Sequence, residues 1–335
     1  MRAKKINHKK MRENQLSRYG AIAKALPFTP GKIFFVVSNS DAHFGDFQNA
    51  FPVDADGVQR VYSSLAAAYA ATVSNRNDVI VLDSSTAHAL TSMLTISKNR
   101  VHFVGVDSLI GDGRRYGPRS RVTMGVTTAT TDVFMIKNLG VGNSFRGIKF
   151  DSGNTLTQAV GTFGEGGEYT VFRNCEFYNS AKLNSDTHAE LILNGDSAQF
   201  YDCTLGSLAD AVSGDKVRPA VLLTAGTVGA GLVSRDVLFD GCRFWKQAGG
   251  TTTAFVKGGA ADVERVMEFH NCQFVANVLG AQPAVAISVA TLTVGQIILT
   301  GDTCSFECTK IATATGVFSG LPARVATATI GIQTT

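Results

Sequence analysis

The sequence has few charged residues, few prolines and almost no tryptophan. Charged side chains make up 17% of its 335 residues, against about 25% in an average globular chain, and hydrophobic residues make up 44%. A chain this apolar can bury a core, which excludes intrinsic disorder as a description of the whole protein. Its apolar runs stop well short of the roughly 18 residues that a membrane-spanning helix needs. Glycine is abundant, with 34 residues, and stretches rich in Leu, Glu and Lys are scarce, which favours β-structure with many turns.

The charge is divided unevenly along the chain. Residues 1–24 contain one acid, Glu13, and carry a net charge of +7, whereas the rest holds 23 basic and 26 acidic residues, a net charge of −3. The eight cations are Arg2, Lys4, Lys5, Lys9, Lys10, Arg12, Arg18 and Lys24. We therefore predict an extended basic arm that docks on an acidic protein surface. Nucleic acid fits less well, because Tyr19 is the only aromatic residue of the arm and the body is acidic.

No secretory signal is predicted after the basic residues. The short apolar stretch that follows them is interrupted by Lys24 and stopped by Pro27. Synthesis in a cytoplasm is therefore expected, with the six cysteines reduced.

A hexapeptide recurs five times within about 130 residues. Its pattern is Phe, any residue, a turn residue, Cys or Ile, any residue, and Phe or Leu. The copies are FRGIKF (145–150), FRNCEF (172–177), FYDCTL (200–205), FDGCRF (239–244) and FHNCQF (269–274), with partial copies FVGV (103–106) and GDTCSF (301–306). Self-similarity at intervals of about 30 residues indicates a solenoid.

Each copy contains a bend. Residues two apart in a strand share a face, but Phe172 lies three positions before Cys175, so the phase slips between them. The residue before each Cys, Ile or Val is of a type that tolerates a left-handed (αL) backbone: Gly105, Gly147, Asn174, Asp202, Gly241 and Asn271. Each copy is therefore predicted to be a strand, a one-residue αL corner and a second strand, with both Phe side chains and the Cys turned inward.

Short apolar runs between the copies supply a third strand. They are AELILNG (189–195), AVLLTAG (220–226), AFVKG (254–258) and AVAISVA (284–290). Three strands in about 30 residues make one coil of a parallel β-helix, so we predict an all-β solenoid of about seven to eight coils. One inward column would contain Val106, Ile148, Cys175, Cys203, Cys242, Cys272 and Cys304.

The open end of a solenoid needs a cover, and an amphipathic helix is predicted there over 58–73. Its apolar face would consist of Val58, Val61, Tyr62, Leu65, Tyr69 and Val73, followed by the strand NDVIVL (77–82). This opening resembles that of phage tailspikes and other pectate-lyase-like members of the right-handed parallel β-helix superfamily. In that family a short helix after an Asp-Gly-Val-like segment plugs the first coil. The usual acidic pair after that segment is here Gln59 and Arg60.

The resemblance covers residues 53–310 and divides the chain into three parts. Residues 1–50 form the arm and attachment segment, 51–310 the β-helix, and 311–335 a closing or inter-subunit segment, whose last part, ARVATATIGIQTT (323–335), alternates like a strand. The resemblance also implies a homotrimer, because related β-helices associate side by side in threes.

The cysteines are not predicted to bind a metal, and no cofactor is expected. Stacked residues lie about 4.8 Å apart with parallel side chains. A tetrahedral zinc instead needs four sulfurs at about 2.3 Å from one point. The column is therefore interpreted as packing.

Paired carboxylates are what a glycan-cleaving enzyme needs. The best cluster is Asp186, His188 and Glu190, which share one face if that segment is extended; Glu165 and Glu168 form another pair. Sugar-binding grooves tend to expose aromatic rings, but most aromatics here belong to the repeat and the one tryptophan is Trp245. We therefore predict a protein that is not an enzyme.

A Gly/Pro-containing loop, GDGRRYGPRSR (111–121), concentrates Arg114, Arg115, Arg119 and Arg121. Arginine favours planar, bidentate pairing with anions, so this loop is either a partner contact or a solvated tip.

Together these features predict a structural protein of a phage or virus particle. The β-helix would project from the particle surface, and the arm would bind the major capsid protein or another virion protein, as in a decoration protein or head fibre. The alternatives are a tailspike-type polysaccharide depolymerase or lyase, and a non-catalytic adhesin that binds a host surface glycan. No membrane contact is predicted.

Overall fold

The computed structural model describes residues 31–41, 44–106, 120–124, 134–152, 160–178, 187–206, 217–230, 232–248, 254–278, 282–290, 292, 295–312 and 317–319. Its two helices are α1 (Phe44–Ala50) and α2 (Leu65–Ala71). The first strands are β1 (Ile33–Val36), β2 (Val61–Tyr62), β3 (Asp78–Leu82), β4 (His88–Leu90), β5 (Leu94–Ile96), β6 (Val101–Gly105), β7 (Ser120–Met124), β8 (Phe134–Asn138), β9 (Ser144–Arg146), β10 (Ile148–Asp151), β11 (Gly161–Glu165), β12 (Val171–Arg173), β13 (Glu176–Tyr178) and β14 (Ala189–Leu193).

The remaining strands continue the same series. They are β15 (Gln199–Tyr201), β16 (Thr204–Gly206), β17 (Val221–Leu223), β18 (Ser234–Asp240), β19 (Arg243–Ala248), β20 (Ala254–Gly258), β21 (Val263–His270), β22 (Gln273–Val278), β23 (Val285–Val289), β24 (Gly295–Thr300), β25 (Ser305–Phe306), β26 (Lys310–Ala312) and β27 (Val317–Ser319).

The strands form three parallel sheets, and each coil contributes one strand to each sheet. Sheet 1 has eleven strands, in the order β2-β1-β3-β6-β9-β12-β15-β18-β21-β24-β27. Sheet 2 (β4, β7 and every third strand to β25) and sheet 3 (β5, β8 and every third strand to β26) have eight strands each. The predicted right-handed parallel β-helix is confirmed, with eight coils in sheets 2 and 3.

Identical aromatic rings stack along the inside of sheet 1. Neighbouring rings have centroids 4.6–5.0 Å apart and planes within 13° of parallel, in the order Phe103, Phe145, Phe172, Phe200, Phe239 and Phe269. A second column inside sheet 2 contains Phe244 and Phe274 at 4.7 Å and Phe306 at 5.1 Å from Phe274. Each stacked pair adds about 0.5–1.5 kcal/mol to the apolar burial of its rings.

The cysteines of the repeat lie in one inward column at the start of the sheet 2 strands. The strand register places Glu176, Thr204, Arg243 and Gln273 opposite one another in neighbouring strands. The residues that directly precede them are Cys175, Cys203, Cys242 and Cys272, which therefore form one column. Cys175, Cys203, Cys242 and Cys272 are at most 1% exposed, and Cys304 is half-buried; all are free thiols. The Cys242 thiol donates to the Phe200 carbonyl at 3.3 Å, and burial raises the pKa of this thiol well above its ordinary value.

The first member of the column is not the one predicted. Ile148 pairs with Ser120, not with Val106, so the equivalence of Val106 was wrong. Gly105, predicted as an αL corner, does not have positive φ either. Gly105 instead allows the backbone of the next coil to come close, because a Cβ at this position would lie 2.1 Å from the Gly147 carbonyl oxygen. Strand β6 of sheet 1 ends at this glycine, and the next described strand, β7 of sheet 2, begins at Ser120.

The other five predicted corners are confirmed. Gly147, Asn174, Asp202, Gly241 and Asn271 have φ between 50° and 64°. Each ends a sheet 1 strand and turns the chain into sheet 2, which is the phase slip that the hexapeptide requires.

A second αL column lies just before the sheet 1 strands, or within the first three residues of β18 and β21, and was not predicted. It consists of Arg100, Gly142, Tyr169, Ser197, Asp236 and Arg265, with φ between 49° and 69°. Arg100, Tyr169 and Arg265 tolerate this conformation poorly, so the residue types of this column give no consistent signal for it. The path of the coil imposes this corner, because backbone hydrogen bonds join neighbouring coils here. One example is the bond that the Tyr169 N–H donates to the Asp196 carbonyl oxygen at 2.9 Å.

The helix that covers the first coil is shorter than predicted. It begins after Ser64, whose hydroxyl accepts the Ala67 N–H at 3.3 Å. Leu65 and Tyr69 join the core as predicted, and the Tyr69 ring packs on Phe103 with centroids 6.3 Å apart. The prediction over 58–73 was wrong at both ends: β2 at Val61–Tyr62 pairs with β1, and Val73 is 48% exposed. Neither helix among the described residues is long and apolar enough to cross a membrane.

The sheet begins before the predicted boundary at residue 51. Strand β1 lies between β2 and β3, and Phe35 on its outer face packs against Phe47 of α1 and against Phe51. At the other end, β26 and β27 extend sheets 3 and 1 beyond residue 310. At both ends, the limit of the β-helix is set by the last strand that pairs with a neighbouring coil.

We expect Cys242→Asp to unfold the solenoid, because it buries an unpaired charge within the cysteine column. Cys242→Ser should lower the free energy of unfolding by about 1–3 kcal/mol, since the hydroxyl replaces a buried thiol with imperfect hydrogen bonding. Chemical denaturation followed by circular dichroism checks both variants. Native-like stability of the Asp variant would show that the column is not interior.

We expect Asn174→Val to lower the free energy of unfolding by about 1–2 kcal/mol, because a β-branched residue is strained at the φ of 50° found there. Asn174→Gly is the matched control and should stay close to the wild type. The same denaturation measurement applies. Equal damage from Gly and Val would contradict the corner's role.

Candidate functional site

The predicted acid/base cluster is only partly described. Asp186 lies outside the described residues. His188 is half-buried, with Nδ1 3.2 Å from the Thr187 hydroxyl. Glu190 on β14 is buried and pairs through Oε1 with Nη2 of the equally buried Arg218 at 3.0 Å. The cluster stays a prediction, and the described contacts give Glu190 a partner that stabilises its charge inside the fold.

A third buried charge belongs to the same region. Lys246 is 3% exposed, and its Nζ donates to the Arg218 carbonyl oxygen. Glu190, Arg218 and Lys246 are therefore linked to one another in one stretch of the solenoid. Breaking such a buried pair is costly, which is the behaviour of a structural cluster.

Glu165 and Glu168, the other predicted carboxylate pair, point to different environments. Glu168 is exposed on the coil surface, whereas Glu165 at the end of β11 has no exposed area. Two carboxylates separated in this way do not act on one bond. The GEGGE segment begins at the end of β11, and the side chain of its first glutamate, Glu165, points inward.

Glu165 is held by neutral hydrogen-bond donors. Asn138 Nδ2 donates to both carboxylate oxygens, at 3.0 and 2.9 Å. The Gly167 N–H and the Thr170 hydroxyl donate to Oε1 at 2.7 and 3.1 Å. Burial raises the pKa of Glu165 to about 7, although these donors act in the opposite direction. Asn143 extends the network to the preceding coil through Asn138 Oδ1 at 2.9 Å.

Most of the predicted partner-binding cations lie outside the described residues. These are Arg2, Lys4, Lys5, Lys9, Lys10, Arg12, Arg18, Lys24, Arg114, Arg115 and Arg119. Arg121 is described: it is exposed on the outer face of β7, opposite Lys149 of β10.

Arg121 belongs to a larger set of cations at the bend between sheets 1 and 2. We call Arg121, Arg146, Lys149 and Arg173 the basic corner. Arg146 and Arg173 are direct neighbours in sheet 1. Lys149 pairs with Glu176 at 2.8 Å, whereas the three arginines form no ion pair with any described residue. An acidic body therefore carries a basic patch.

A groove continues from the basic corner toward the C-terminal coils. It has a volume of about 580 Å³ and is lined by Arg173, Tyr201, Asp202, Asp240, Gly241, Arg243, Asn271, Gln273 and Thr303. We call it the corner groove. Its lining supplies guanidinium, carboxylate, amide and hydroxyl groups beside the half-buried ring of Tyr201.

Sequence analysis missed both features, although the repeat contains the signal. The second and fifth residues of each hexapeptide lie beside the inward positions and point outward, as Arg146 and Lys149 do in FRGIKF. Reading these positions down the five copies places Arg173, Tyr201 and Asp240 on one outer face.

A second groove lies on the outer face of sheet 3. It has a volume of about 490 Å³ and is lined by Val160, Thr187, Ile192, Leu222, Leu223, Thr224, Thr227, Lys257, Gly258, Gly259 and Asp262. Within the described part of the chain, no group of three or more His, Cys, Asp or Glu side chains is placed to hold a metal ion.

Comparison with solved structures identifies the architecture. Pectate lyase Pel9A aligns over 90% of this chain and 73% of its own, with a TM-score of 0.54 and 13% sequence identity. A pectin methylesterase from Aspergillus niger aligns over 81% of this chain and 84% of its own, with a TM-score of 0.50 and 13% identity. At this identity the likeness shows the β-helix fold alone, and it confirms the predicted resemblance to pectate-lyase-like proteins at that level.

A protein of Geobacillus virus E2, ORF18, aligns over 83% of this chain and 61% of its own at 12% identity. Its TM-score of 0.38 is too low to support an argument. No protein-family profile and no curated sequence matches the chain.

We expect stability to fall as pH rises through the titration of Glu165. Its folded pKa of about 7 lies above the ordinary value of 4.5, so its contribution is fully present below pH 4.5 and is lost by about pH 7. The shift corresponds to about 3 kcal/mol. Denaturation of the wild type and of Glu165→Gln at pH 5 and pH 8 checks this, because glutamine does not titrate. An identical loss of stability in both proteins would contradict it.

Proposed function

We propose that this protein is a structural component of a phage or virus particle. In this proposal the basic arm binds the capsid or another virion protein, and the β-helix body projects from the particle surface. A decoration protein or head fibre has this organisation. Assembly as a homotrimer is part of the proposal.

The observation that supports it best is where the arm joins the body. Gly31, a few residues after Lys24, donates its N–H to the Asn77 carbonyl at 2.8 Å. Strand β1 then enters sheet 1 one place from its N-terminal edge. The segment with a net charge of +7 is thus connected to one end of a rod whose sheet 1 is about 48 Å long.

This placement suits end-on attachment. The two ends of a solenoid face opposite directions, so an arm bound at one end leaves the other coils pointing away from the particle. The net charge of +7 on the arm favours an acidic surface as its partner. The continuous ring stacks give the projecting part a rigid interior.

Polysaccharide cleavage is the alternative, and it would depend on Asp186, His188 and Glu190. Both solved enzymes named above are pectin-processing proteins by name, and they share the fold. The ion pair between Glu190 and Arg218 argues against this use of Glu190, because both side chains are buried and the carboxylate is already engaged within the fold.

We expect deletion of residues 1–24 to leave a folded body that no longer joins the particle. Replacing Lys4, Lys5, Lys9 and Lys10 with Gln should weaken incorporation, and added salt should weaken that of the wild type, since exposed charges are screened within about 10 Å at 0.1 M salt. The matched control replaces the same four lysines with Arg and should incorporate normally. Particle incorporation is measured by sedimentation and protein staining.

Two results would overturn the structural proposal. One is full incorporation of the truncated chain. The other is polysaccharide cleavage by the intact chain that is lost in Asp186→Asn or Glu190→Gln.

A further inference from the structure

A chain of side-chain hydrogen bonds crosses the corner at Asn271, where sheet 1 bends into sheet 2. It links Glu268 and His270 at the end of β21, Asn271 at the corner, Thr300 at the end of β24 and Thr303 in the turn that follows. Thr303 is exposed and the other four residues are half-buried. The direction of every bond can be assigned, because the groups at the two ends of the chain have fixed roles.

At one end, a backbone N–H fixes the orientation of the Asn271 amide. The Thr303 N–H and the Thr303 hydroxyl contact the same amide atom of Asn271, at 3.4 and 3.1 Å. A backbone N–H can only donate, so this atom is the carbonyl oxygen Oδ1. The other amide atom, Nδ2, therefore donates to His270 Nε2 at 2.9 Å. His270 Nε2 must carry a lone pair and no proton.

The other end of the chain requires the same tautomer. The Thr300 hydroxyl donates its single hydrogen to Glu268 Oε1 at 2.7 Å, because an ionised carboxylate only accepts. The Thr300 oxygen lies 2.9 Å from His270 Nδ1 and can only accept there. Nδ1 therefore carries the ring proton. Both ends independently require a neutral imidazole with its hydrogen on Nδ1.

Protonation of His270 is incompatible with this arrangement. A second ring proton would lie on Nε2 and point at the Asn271 Nδ2 group, so two donors would face each other. Turning the Asn271 amide over gives Nε2 an acceptor, but it brings Nδ2 to the Thr303 N–H, which loses its own acceptor. The turned amide is favoured, because a charged donor makes a stronger hydrogen bond to Oδ1 than the neutral Thr303 N–H does at 3.4 Å.

The surroundings of His270 accept a positive charge. The titratable side chains at this end of the elements packed against it are Asp240 of β18, Glu268 of its own strand, and Asp302 and Cys304 of the turn after β24. Arg243 lies beyond the corner on β19 and lines the corner groove. Three carboxylates against one guanidinium stabilise an imidazolium at this position.

We propose that His270 is a pH-sensitive switch near the end of the rod opposite to the arm. The neutral ring holds the Asn271 amide in place, and that amide holds the turn at 301–303. When the ring is protonated, the amide turns over and releases the turn. Asn271 and Thr303 both line the corner groove, so the switch changes the surface of this groove. It does not depend on how the protein is attached to a particle.

Hydrogen–deuterium exchange of the purified full-length chain at pH 8 and pH 5 tests the switch, because histidine changes its charge in this interval. We expect the protection of the Thr303 amide, corrected for the intrinsic exchange rate at each pH, to fall about tenfold at pH 5, as for the loss of one hydrogen bond. The corner at Asn174 is the internal control and should keep its protection, because Arg173 precedes it in place of a histidine. The titration of Glu165 acts in the opposite direction, since it makes the fold more stable at low pH.

Two variants separate the switch from a general effect of acid. His270→Gln does not titrate, so the protection of Thr303 should be equal at both pH values. Asn271→Asp presents only oxygens, which accept from Thr303 and from a protonated His270 at the same time, so its protection should survive at pH 5. Aspartate suits this corner, since Asp202 has the same αL conformation with φ of 53°. Circular dichroism establishes that both variants are folded.

Equal protection of the wild-type Thr303 amide at both pH values would overturn the proposal. An acid loss that persists in His270→Gln would also overturn it, because another group would then be the sensor. An acid loss in Asn271→Asp as large as that of the wild type would show that the amide does not transmit the change. The wild-type and Asn271→Asp measurements decide the question even if His270→Gln does not fold.

Discussion

Stacking of like residues across neighbouring coils is the constraint on which the rest of the structure depends. Because every coil repeats the path of the one before it, a phenylalanine at one inward position lies over the phenylalanine of the preceding coil, as Phe172 lies over Phe145 at 4.9 Å. The gain in burial and ring contact is realised only if the backbones are in register. Parallel hydrogen bonding and side-chain stacking therefore enforce each other along the whole rod.

The αL corners follow from that constraint. A coil can close only if its chain turns sharply between sheets, and a single residue of positive φ does this without breaking the ladder to the next coil. At the bend after sheet 1 the sequence supplies residues suited to this conformation, such as Asn174 and Gly241. At the bend before sheet 1 it supplies Arg100 and Tyr169, and the stacked coils on either side stabilise the less favourable backbone.

The same register creates the surface features. When inward positions are aligned, the residues between them are aligned too, so single outward side chains become columns. Arg146 and Arg173 meet in this way, and Tyr201 of the next coil lies beside Arg173. Inside the fold, the same register brings hydrogen-bond donors to a buried carboxyl group. Asn138 and Thr170, which belong to two different coils, both donate to Glu165. The basic arm precedes the first coil of an acidic body, so the two ends of the rod are not equivalent.

The sequence by itself determined the architecture, because the hexapeptide specifies inward residues, the corner and the repeat length at once. It predicted the third strand of four coils and five of six corners, and it failed at Val106, because Ser120 pairs with Ile148 in its place. It also could not show that Val61 and Tyr62 would form a strand, because helical spacing and a short edge strand place the same residues on a buried face. Only the tertiary structure decided which charges meet: Glu190 with Arg218, Arg146 beside Arg173, and Glu165 with neutral donors. Glu190 and Arg218, Arg146 and Arg173, and Glu165 and Asn138 are separated by 27 or 28 residues, and contact at such distances depends on how coils of unequal length stack.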